Sequence, residues 1–264
     1  MLTLLFLLYL LALRGRTGHK GLPSFRGWRY AHRGLHGRGI PENSMTAFQK
    51  AFDSGFGIEL DVHLMADGTL AVIHDSSLKR TAGVDIPIES LTQADLPQYT
   101  LEQTDEGIPT LPEVLALCHG RAPMIIELKT ANGNHQARCD AVCALLSGYE
   151  GAFCIESFDP KCVRVLKKNY PKIIRGQLSE NFLKSNPPYM PKFPQFLMTF
   201  LLTNFLTSPD FVAYRFSDCS HLSPWLCRKL WRIQGVAWTI RTAEELQAAE
   251  DMGMIPIFEG FLPE

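Results

Sequence analysis

The sequence predicts a closed (β/α)8 barrel of the TIM type, and three observations lead to this prediction. Short apolar segments with strand character alternate with amphipathic helical segments through most of the 264 residues. Eight of the apolar segments qualify as parallel strands, which is the number that closes such a barrel. The competing fold, an open doubly wound sheet, is disfavoured because no glycine-rich phosphate loop opens any of the predicted helices.

The predicted strands and helices follow one another in regular alternation. The parallel strands are expected at residues 28–33, 57–62, 123–128, 152–157, 173–177, 211–214, 235–240 and 254–258. The helices are expected at residues 44–54, 111–118, 135–147, 160–168, 222–232 and 243–252. Asn43 or Ser44 opens the first helix, because side chains of this type accept hydrogen bonds from the free N–H groups of a first helical turn.

One short strand interrupts the alternation. Ala66, Asp67 and Gly68 form a turn signal, and residues 70–74 are predicted as a strand that returns from this turn. The connection is too short for a crossover helix. We therefore expect this strand to run antiparallel to its predecessor, as a short β-hairpin inserted into the barrel.

An unbroken apolar segment, residues 2–13, precedes the barrel and is followed by basic residues. The segment is shorter than the roughly 20 residues that cross a bilayer unaided, and neither its flanks nor a cleavage site are typical of a signal peptide. We expect residues 1–20 to form a membrane anchor or interfacial segment and residues 27–264 to form the main domain. Because the basic residues follow the apolar segment, this domain is expected on the cytoplasmic side. A cleaved signal, a buried helix and a wrongly assigned start are the alternatives.

A second unusual stretch covers residues 181–208. Four prolines precede an apolar run at residues 196–206. One interpretation is a buried or capping helix. The other is an amphipathic patch that meets a membrane or covers the mouth of the barrel, and the periodicity does not decide between them.

Composition excludes several functions. A net charge of −1 gives no electrostatic basis for nucleic-acid binding, so an anionic substrate needs a local cationic cluster or a metal. The seven cysteines are odd in number and include no C-x-x-C pair, which argues against a disulfide framework or a zinc site and favours a reducing compartment. No protein partner is indicated.

Chemically active residues stand at the ends of the first three predicted parallel strands. His32 and Arg33 end the first strand, while Glu59 and Asp61 lie two positions apart on the second and share a face. Two neighbouring carboxylates repel each other unless a cation lies between them. Glu127 ends the third strand as a third acidic residue, and oxygen ligands of this kind suit Ca²⁺ or Mg²⁺.

Two further groups complete the predicted site. Lys129 follows Glu127 by two positions and can face a phosphate oxygen. His74 ends the hairpin strand and, with His32, provides a second side chain that moves protons near neutral pH. Such residues taken singly are commonly structural; their joint placement on strand ends favours a catalytic site.

These residues form a motif string that resembles the glycerophosphodiester phosphodiesterase family through residues 28–260. The string comprises Ala-His-Arg-Gly at 31–34, Pro-Glu-Asn-Ser at 41–44, Ile-Glu-Leu-Asp-Val at 58–62, Asp67-Gly68, His74-Asp75 with Arg80, Glu127-Leu-Lys129, Ser157-Phe-Asp159 and Ala237-Trp-Thr239. The resemblance implies a barrel of the phospholipase-C-like phosphodiesterase type. It also implies hydrolysis of glycerophosphodiesters to an alcohol and sn-glycerol 3-phosphate, a reaction of lipid and glycerol metabolism.

The resemblance also implies a role for each matching residue. His32 and His74 would be the acid and the base; Glu59, Asp61 and Glu127 would bind one divalent cation, Ca²⁺ or Mg²⁺. Arg33 and Lys129 would hold the phosphate, and Trp238 would pack on the glycerol carbons. Asn43 would support the site from outside the ligand set. Which histidine is the base, and whether the nucleophile is water or a neighbouring glycerol hydroxyl, stay open.

The sequence departs from the family pattern at two places. Arg241 stands where the family usually has Asn, and residues 257–263 replace the usual Thr-Asp-x-Pro ending. Both differences concern the alcohol pocket. The alternative function is a phospholipase C or D that acts on lysophospholipids or lipid headgroups at the membrane, and a barrel that binds phosphodiesters without cleaving them is the non-enzymatic alternative.

Overall fold

The structure is a computed structural model that describes residues 1–131 and 133–264. Its helices are α1 Leu2–Ala12, α2 Met45–Asp53, α3 Lys79–Ala82, α4 Leu111–Cys118, α5 His135–Leu146, α6 Pro160–Asn169, α7 Phe182–Ser185, α8 Lys192–Thr199, α9 Asn204–Thr207, α10 Leu222–Lys229 and α11 Ala243–Asp251. Its strands are β1 Tyr30–His32, β2 Gly57–Leu64, β3 Leu70–Val72, β4 Met124–Leu128, β5 Phe153–Ser157, β6 Arg175–Ser179, β7 Phe211–Arg215, β8 Gln234–Ile240 and β9 Ile255–Phe258.

The strand order confirms the predicted (β/α)8 barrel. In hydrogen-bonding order the strands run β1, β9, β8, β7, β6, β5, β4, β2 and β3, and β1 also pairs with β2, which closes the eight parallel strands on themselves. The hairpin is also confirmed, because β3 pairs with β2 in the antiparallel sense, with Val72 opposite Val62. The chain divides into two compact units, which we call unit I (residues 1–27 and 156–256) and unit II (residues 28–155 and 257–264).

Unit II contains β1 to β4 and the helices α2 to α5. Helix α2 begins where predicted, since the Ser44 hydroxyl accepts a hydrogen bond from the N–H of Ala47. Residues 83–109 contain two 3-10 helices, Ile88–Ser90 and Gln93–Gln98. A small core of buried aliphatic side chains, among them Leu78, Ile88 and Leu101, packs this stretch against the hairpin.

Unit I contains α1 and the elements from α6 to α11. The segment between α1 and β1 is partly buried, because Leu22 and Phe25 lie inside and a 3-10 helix spans Leu22–Phe25. Strand β6 begins two residues later than predicted, at Arg175. Its register brings Gly176 opposite Phe211, where a Cβ on Gly176 would overlap the Phe211 ring.

The 181–208 stretch forms three short helices, α7 to α9, instead of the single helix that one interpretation predicted. In α8, Gln195, Met198 and Thr199 are buried, whereas Phe193 and Phe196 are exposed. The stretch therefore has a buried side and an apolar exposed side. Among the helices of the described residues, α1 included, none has the length and apolar content needed to traverse a bilayer.

Candidate active site

A cluster of three buried carboxylates occupies the strand ends of unit II. Glu59 and Asp61 lie on β2 and Glu127 lies on β4, and the strand register places Asp61 directly beside Glu127. Each residue offers one oxygen that lies within 4.8 Å of the others. Each is also no more than 7% exposed. The structure thus brings together the three residues that were predicted to bind one cation.

Two basic side chains lie against these carboxylates. Lys129 Nζ is 2.9 Å from Glu127 Oε1 and 3.3 Å from Asp61 Oδ1. Arg33 Nε is 3.3 Å from Asp61 Oδ2, and the Arg33 backbone N–H donates to Glu59 Oε2 over 3.1 Å. Arg33 has a φ of +54°, in the left-handed region that is costly for a residue with a Cβ. The surrounding contacts therefore hold this arginine in an unfavourable backbone conformation.

The pKa values of Asp61 and Glu127 are shifted in opposite directions. Burial would raise the pKa of Asp61, but the charges of Lys129, His74 and Arg33 outweigh burial and hold this pKa well below its usual value. Burial and the Asp61 charge raise the pKa of Glu127 against the opposing effect of Lys129. Two buried carboxylates that repel in this way gain from a cation between them.

The carboxylate oxygen Oδ1 of Asp61 indicates whether the cluster can bind a cation. Asp61 Oδ1 is buried and accepts no hydrogen bond from the residues that the structure describes, although Lys129 lies at ion-pair distance from it. An oxygen of this kind is available as a metal ligand. With the two other carboxylate oxygens it forms an all-oxygen donor set, which suits Ca²⁺ or Mg²⁺.

His32 is fixed by a carboxylate on its outer side. Its Nδ1 lies 2.5 Å from Glu259 Oε2, and its Nε2 lies 3.9 Å from Glu59 Oε2. Because Glu259 can only accept when ionised, it fixes the tautomer that carries a proton on Nδ1. The other nitrogen, Nε2, then faces the carboxylate cluster. Burial lowers the pKa of His32 despite the bond with Glu259.

His74 is fixed in the same way. Its Nδ1 lies 2.6 Å from Asp75 Oδ1, so Nε2 is the ring nitrogen that does not take part in this contact. Burial lowers its pKa, and the charges of Lys129 and Arg33 lower it further. Both histidines of unit II that were predicted to move protons thus have Nδ1 bound to a carboxylate.

A shared glutamate connects the two halves of this arrangement. Arg80 donates to Asp75 Oδ2 over 2.5 Å and to both oxygens of Glu42, at 2.6 and 3.0 Å. Glu42 Oε1 also accepts from Arg33 Nη1 over 2.9 Å. The pKa of Glu42 is lowered because hydrogen bonding to Arg80 and the charge of Arg33 outweigh its burial. Glu42 therefore positions both the arginine that faces Asp61 and the arginine that holds Asp75.

Asn43 lies behind the cluster. Its Nδ2 donates to Asp61 Oδ2 over 2.9 Å, and its Oδ1 accepts weakly from the Asp61 N–H at 3.4 Å. Asn43 has a φ of +55°, a conformation that Asn tolerates better than most residues. This position is consistent with the supporting role expected from the resemblance, which stays a prediction.

Trp238 and Arg241, the remaining residues that the resemblance singled out, belong to unit I. The Trp238 ring packs edge-on against Phe158 at 5.6 Å and lies under the Arg215 guanidinium at 5.3 Å. The Arg241 backbone N–H donates to Glu245 Oε2 over 2.8 Å, and its side chain is exposed. Their contacts with substrate stay predictions.

Four residues of the site received no role from the sequence. Glu42, Asp75 and Arg80 are members of the motif string, and Glu259 falls in one of the departures from the family pattern. Glu259, Glu42 and Asp75 contact His32, Arg33 and His74 of the predicted site, and Arg80 acts through Glu42 and Asp75. The available signal was a carboxylate directly after His74 and a carboxylate at the end of the last predicted strand.

Comparisons with known proteins agree with this geometry. The family model described as "Glycerophosphoryl diester phosphodiesterase family" matches residues 32–261. A glycerophosphodiester phosphodiesterase of Bacillus altitudinis is 44% identical over 110 residues, which cover 39% of this chain and 44% of that protein. One of Caldanaerobacter subterraneus is 33% identical over 158 residues, which cover 56% and 65%. The chain therefore aligns with less than half the length of the first of these relatives.

Two further similarities bear on fold and substrate. A solved structure of an Oleispira antarctica phosphodiesterase in complex with the product sn-glycerol-3-phosphate has a TM-score of 0.74 at 23% identity, with 92% of this chain and 95% of that chain covered. A rat protein named lysophospholipase D GDPD1 is 36% identical over 115 residues, which cover 39% of this chain and 36% of that protein. At such identity the structural likeness establishes the barrel fold.

Proposed function

This chain belongs to the glycerophosphoryl diester phosphodiesterase family, and we propose that it hydrolyses glycerophosphodiesters to an alcohol and sn-glycerol 3-phosphate. The observation that carries the proposal is the pair of histidines, His32 and His74, whose Nδ1 atoms are held by Glu259 and Asp75. The cluster of three carboxylates lies in the same unit as both histidines.

Charge explains how these residues act on a phosphodiester. The monoanionic ester repels nucleophiles, and Arg33 and Lys129 provide positive charge for its non-bridging oxygens. A divalent cation, Ca²⁺ or Mg²⁺, bound by Glu59, Asp61 and Glu127 would add further positive charge for the same purpose. The side chains of Arg33 and Lys129 are only 15% and 14% exposed, which strengthens their effect, since little water screens them.

The histidines would carry the protons. One imidazole accepts a proton at Nε2 from the attacking hydroxyl, and the other donates a proton from Nε2 to the leaving alkoxide. The attacking hydroxyl belongs either to water or to the neighbouring glycerol carbon. Glu259 and Asp75 keep the Nδ1 proton in place, so that each ring exchanges protons only through the nitrogen that faces the substrate.

A direct assay tests the reaction. The full chain is incubated with glycerophosphocholine or glycerophosphoethanolamine, and sn-glycerol 3-phosphate is measured with Ca²⁺, with Mg²⁺ and with EDTA. We expect activity that EDTA abolishes and added metal restores. His32→Ala and His74→Ala should each lower kcat by about 10²–10⁴-fold, the usual contribution of a positioned proton donor or acceptor.

The matched control is His119→Asn. His119 is exposed and caps α4 in a left-handed conformation that Asn tolerates. The His119→Asn variant should retain full activity. Equal activity of the parent and both catalytic histidine variants would refute the assigned roles, and hydrolysis without any response to EDTA would refute the predicted metal dependence.

A lysophospholipase D activity is the second candidate. It is favoured by the similarity to the rat protein of that name and by the exposed apolar side chains of unit I, such as Phe193. Turnover of micellar lysophospholipid and of the water-soluble diester is compared at equal concentration. A preference for the soluble diester excludes this candidate.

The location of the enzyme is also a proposal. We propose that residues 2–13 associate with a membrane and that the domain faces the cytoplasm, as the basic residues after the apolar segment indicate. Protease treatment of intact and of permeabilised cells that express the chain tests the side: a domain that external protease degrades while the membrane stays intact would contradict it.

A further inference from the structure

The charges of this chain are divided unevenly. Three segments of unit I, residues 1–27, 181–209 and 219–243, contain ten Lys or Arg residues and not one Asp or Glu. The rest of the chain holds all 27 acidic residues and only 16 basic ones. The overall net charge of −1 therefore conceals three basic segments in unit I, in which Arg16 and Lys184 are ion-paired with Asp210 and Asp218 from outside the segments.

The first of these segments also exposes a large apolar surface. Helix α1 consists almost entirely of apolar residues. The side chains that are more than half exposed include Leu4, Leu5, Phe6, Leu7, Leu8 and Leu11. Soluble surfaces seldom carry so many large apolar side chains in one helix, and contiguous patches of this kind mark interaction sites.

The end of this helix is firmly held. Trp231 Nε1 donates to the Leu10 carbonyl over 2.9 Å, and the Tyr9 hydroxyl lies 2.8 Å from the hydroxyl of Ser223. Leu13 is fully buried in a cluster with Leu201 and other side chains of unit I. The helix is thus fixed at its C-terminal end, while its exposed side chains stay outside.

Two further segments, residues 181–209 and 219–243, pack against the C-terminal end of α1. They also expose apolar side chains. Asn204 donates to the Leu13 carbonyl over 3.3 Å, which ties α9 to the end of α1. The exposed apolar side chains here include Tyr189, Phe193, Phe205, Leu222, Trp225 and Leu230. Aromatic side chains and basic residues together are typical of protein surfaces that lie in the headgroup region of a bilayer.

We infer that the three segments form one docking face for a lipid bilayer that contains anionic phospholipids. We call it the acid-free face (residues 1–27, 181–209 and 219–243). The apolar side chains would enter the boundary between headgroups and acyl chains, while the basic residues attract the negative surface. A second copy of the chain fits less well, because the exposed basic residues of two such faces, Lys192 and Lys229 among them, would repel one another.

Binding to vesicles tests this inference without reference to the reaction. The full chain is centrifuged with vesicles of phosphatidylcholine alone or of phosphatidylcholine mixed with phosphatidylglycerol. We expect at least about tenfold stronger binding to the anionic vesicles, because each basic residue near such a surface contributes about fivefold. The difference should shrink as salt is added, since salt screens exposed charges.

Two double variants separate the contributions. Lys192→Glu with Lys229→Glu reverses two exposed charges of the face and should remove most of the preference for anionic vesicles. Phe6→Ser with Phe193→Ser should weaken binding to both kinds of vesicle. The matched charge control is Lys50→Glu with Lys79→Glu, two exposed lysines of unit II, which should bind as the parent does.

Circular dichroism checks that every variant is folded as the parent is, and turnover of a water-soluble diester checks that every variant is as active as the parent. Equal binding to neutral and anionic vesicles, or an equal loss in the control variant, would overturn the inference. Absence of vesicle binding together with a dimer that Phe6→Ser and Phe193→Ser dissociate would also overturn it, in favour of a second copy of this chain.

Discussion

The strand-end cluster of unit II and the acid-free face of unit I organise charge in opposite ways. In the cluster, Asp61 is buried, and the Lys129 side chain, which is 14% exposed, lies 3.3 Å from it. On the face, basic residues and large apolar side chains are exposed, and no carboxylate is present in its segments. A near-neutral chain can thus contain both a buried cluster of charged side chains and a cationic surface, and its net charge reveals neither.

The difference also separates two kinds of function. Buried, mutually paired charges act on a small ligand whose position must be fixed to within a fraction of an ångström. Exposed charges act over longer distances on a surface that needs no fixed register. Variants in one region should therefore leave the function of the other region unchanged.

The largest effect is expected from Asp61→Asn, which removes the cluster's central negative charge. The activity should fall by about 10³-fold or more, since a bound cation contributes several kcal/mol to the transition state. Calorimetry should show loss of Ca²⁺ or Mg²⁺ binding, while vesicle binding stays as in the parent. Asp105→Asn, a change at an exposed position, serves as the control, and a similar loss there would contradict a specific role for Asp61.

The next largest effect is expected from changes to Glu259 and Asp75, the carboxylates that bind Nδ1 of His32 and of His74. Glu259→Gln and Asp75→Asn keep the shape but lose the charge that fixes the Nδ1 proton, so each should lower kcat by about 10- to 100-fold with little change in KM. Asp75 already shares its charge with Arg80, and we expect Glu259→Gln to cost more. Glu259→Asp, which keeps the charge, should recover part of the lost activity.

If the two amide variants changed KM alone, or if Glu259→Asp were as impaired as Glu259→Gln, Glu259 would be structural. The measurement is the separate determination of kcat and KM on the soluble diester, with vesicle binding as the readout that must not change.

A smaller effect, on stability, is expected from the histidine–carboxylate pair His63 and Glu89. This pair resembles those of His32 and His74, but it supports the fold. His63 Nδ1 lies 2.6 Å from Glu89 Oε1, and its Nε2 lies 3.1 Å from the His74 carbonyl oxygen. Burial would raise the pKa of Glu89, but hydrogen bonds from His63 and Ser76 lower it to about 2. Both ring nitrogens of His63 are occupied, so this histidine positions the hairpin and the His74 backbone.

The pH dependence follows from the sign of this shift. Because the folded-state pKa of Glu89 is lowered, its contribution to stability is complete above pH 4.5 and is lost as the pH falls towards 2. Glu89→Gln should therefore lower the free energy of unfolding at pH 7 and flatten its decline between pH 4.5 and 2. Urea unfolding at several pH values measures both, and an unchanged slope would contradict this assignment.

The smallest effect is expected on the acid-free face. Phe193→Ser should change the free energy of unfolding by no more than about 0.5 kcal/mol, since Phe193 is 70% exposed and surface changes are usually this mild. Thermal unfolding measures this change, and vesicle binding of the same variant should fall. A destabilisation of several kcal/mol would mean that Phe193 packs into the domain.

The fold and the core of the site follow from local sequence patterns. Alternating strands and helices predicted the barrel, and the turn at 66–68 predicted the antiparallel β3, because periodicity and turn chemistry act within a few residues. Glu59 and Asp61 share a strand face by their spacing alone, so their proximity could be predicted.

The partners of the site could not be predicted in this way. His32 and Glu259 are separated by 227 positions, and only the closure of the barrel, with β1 beside β9, brings them together. The same holds for Arg80 and Glu42, which the hairpin and its loop bring into contact. Long-range pairs depend on strand register and loop path, which no local pattern specifies.

The sequence by itself determined the order of the strands and helices, the strand-end acids and histidines, and the division of charge between the segments. The tertiary structure decided which carboxylate holds each histidine, how Glu42 links two arginines, and that α1 is fixed at its end to unit I. The reason is that composition and periodicity are properties of neighbouring residues, whereas a hydrogen bond between distant residues exists only when the whole barrel has closed around it.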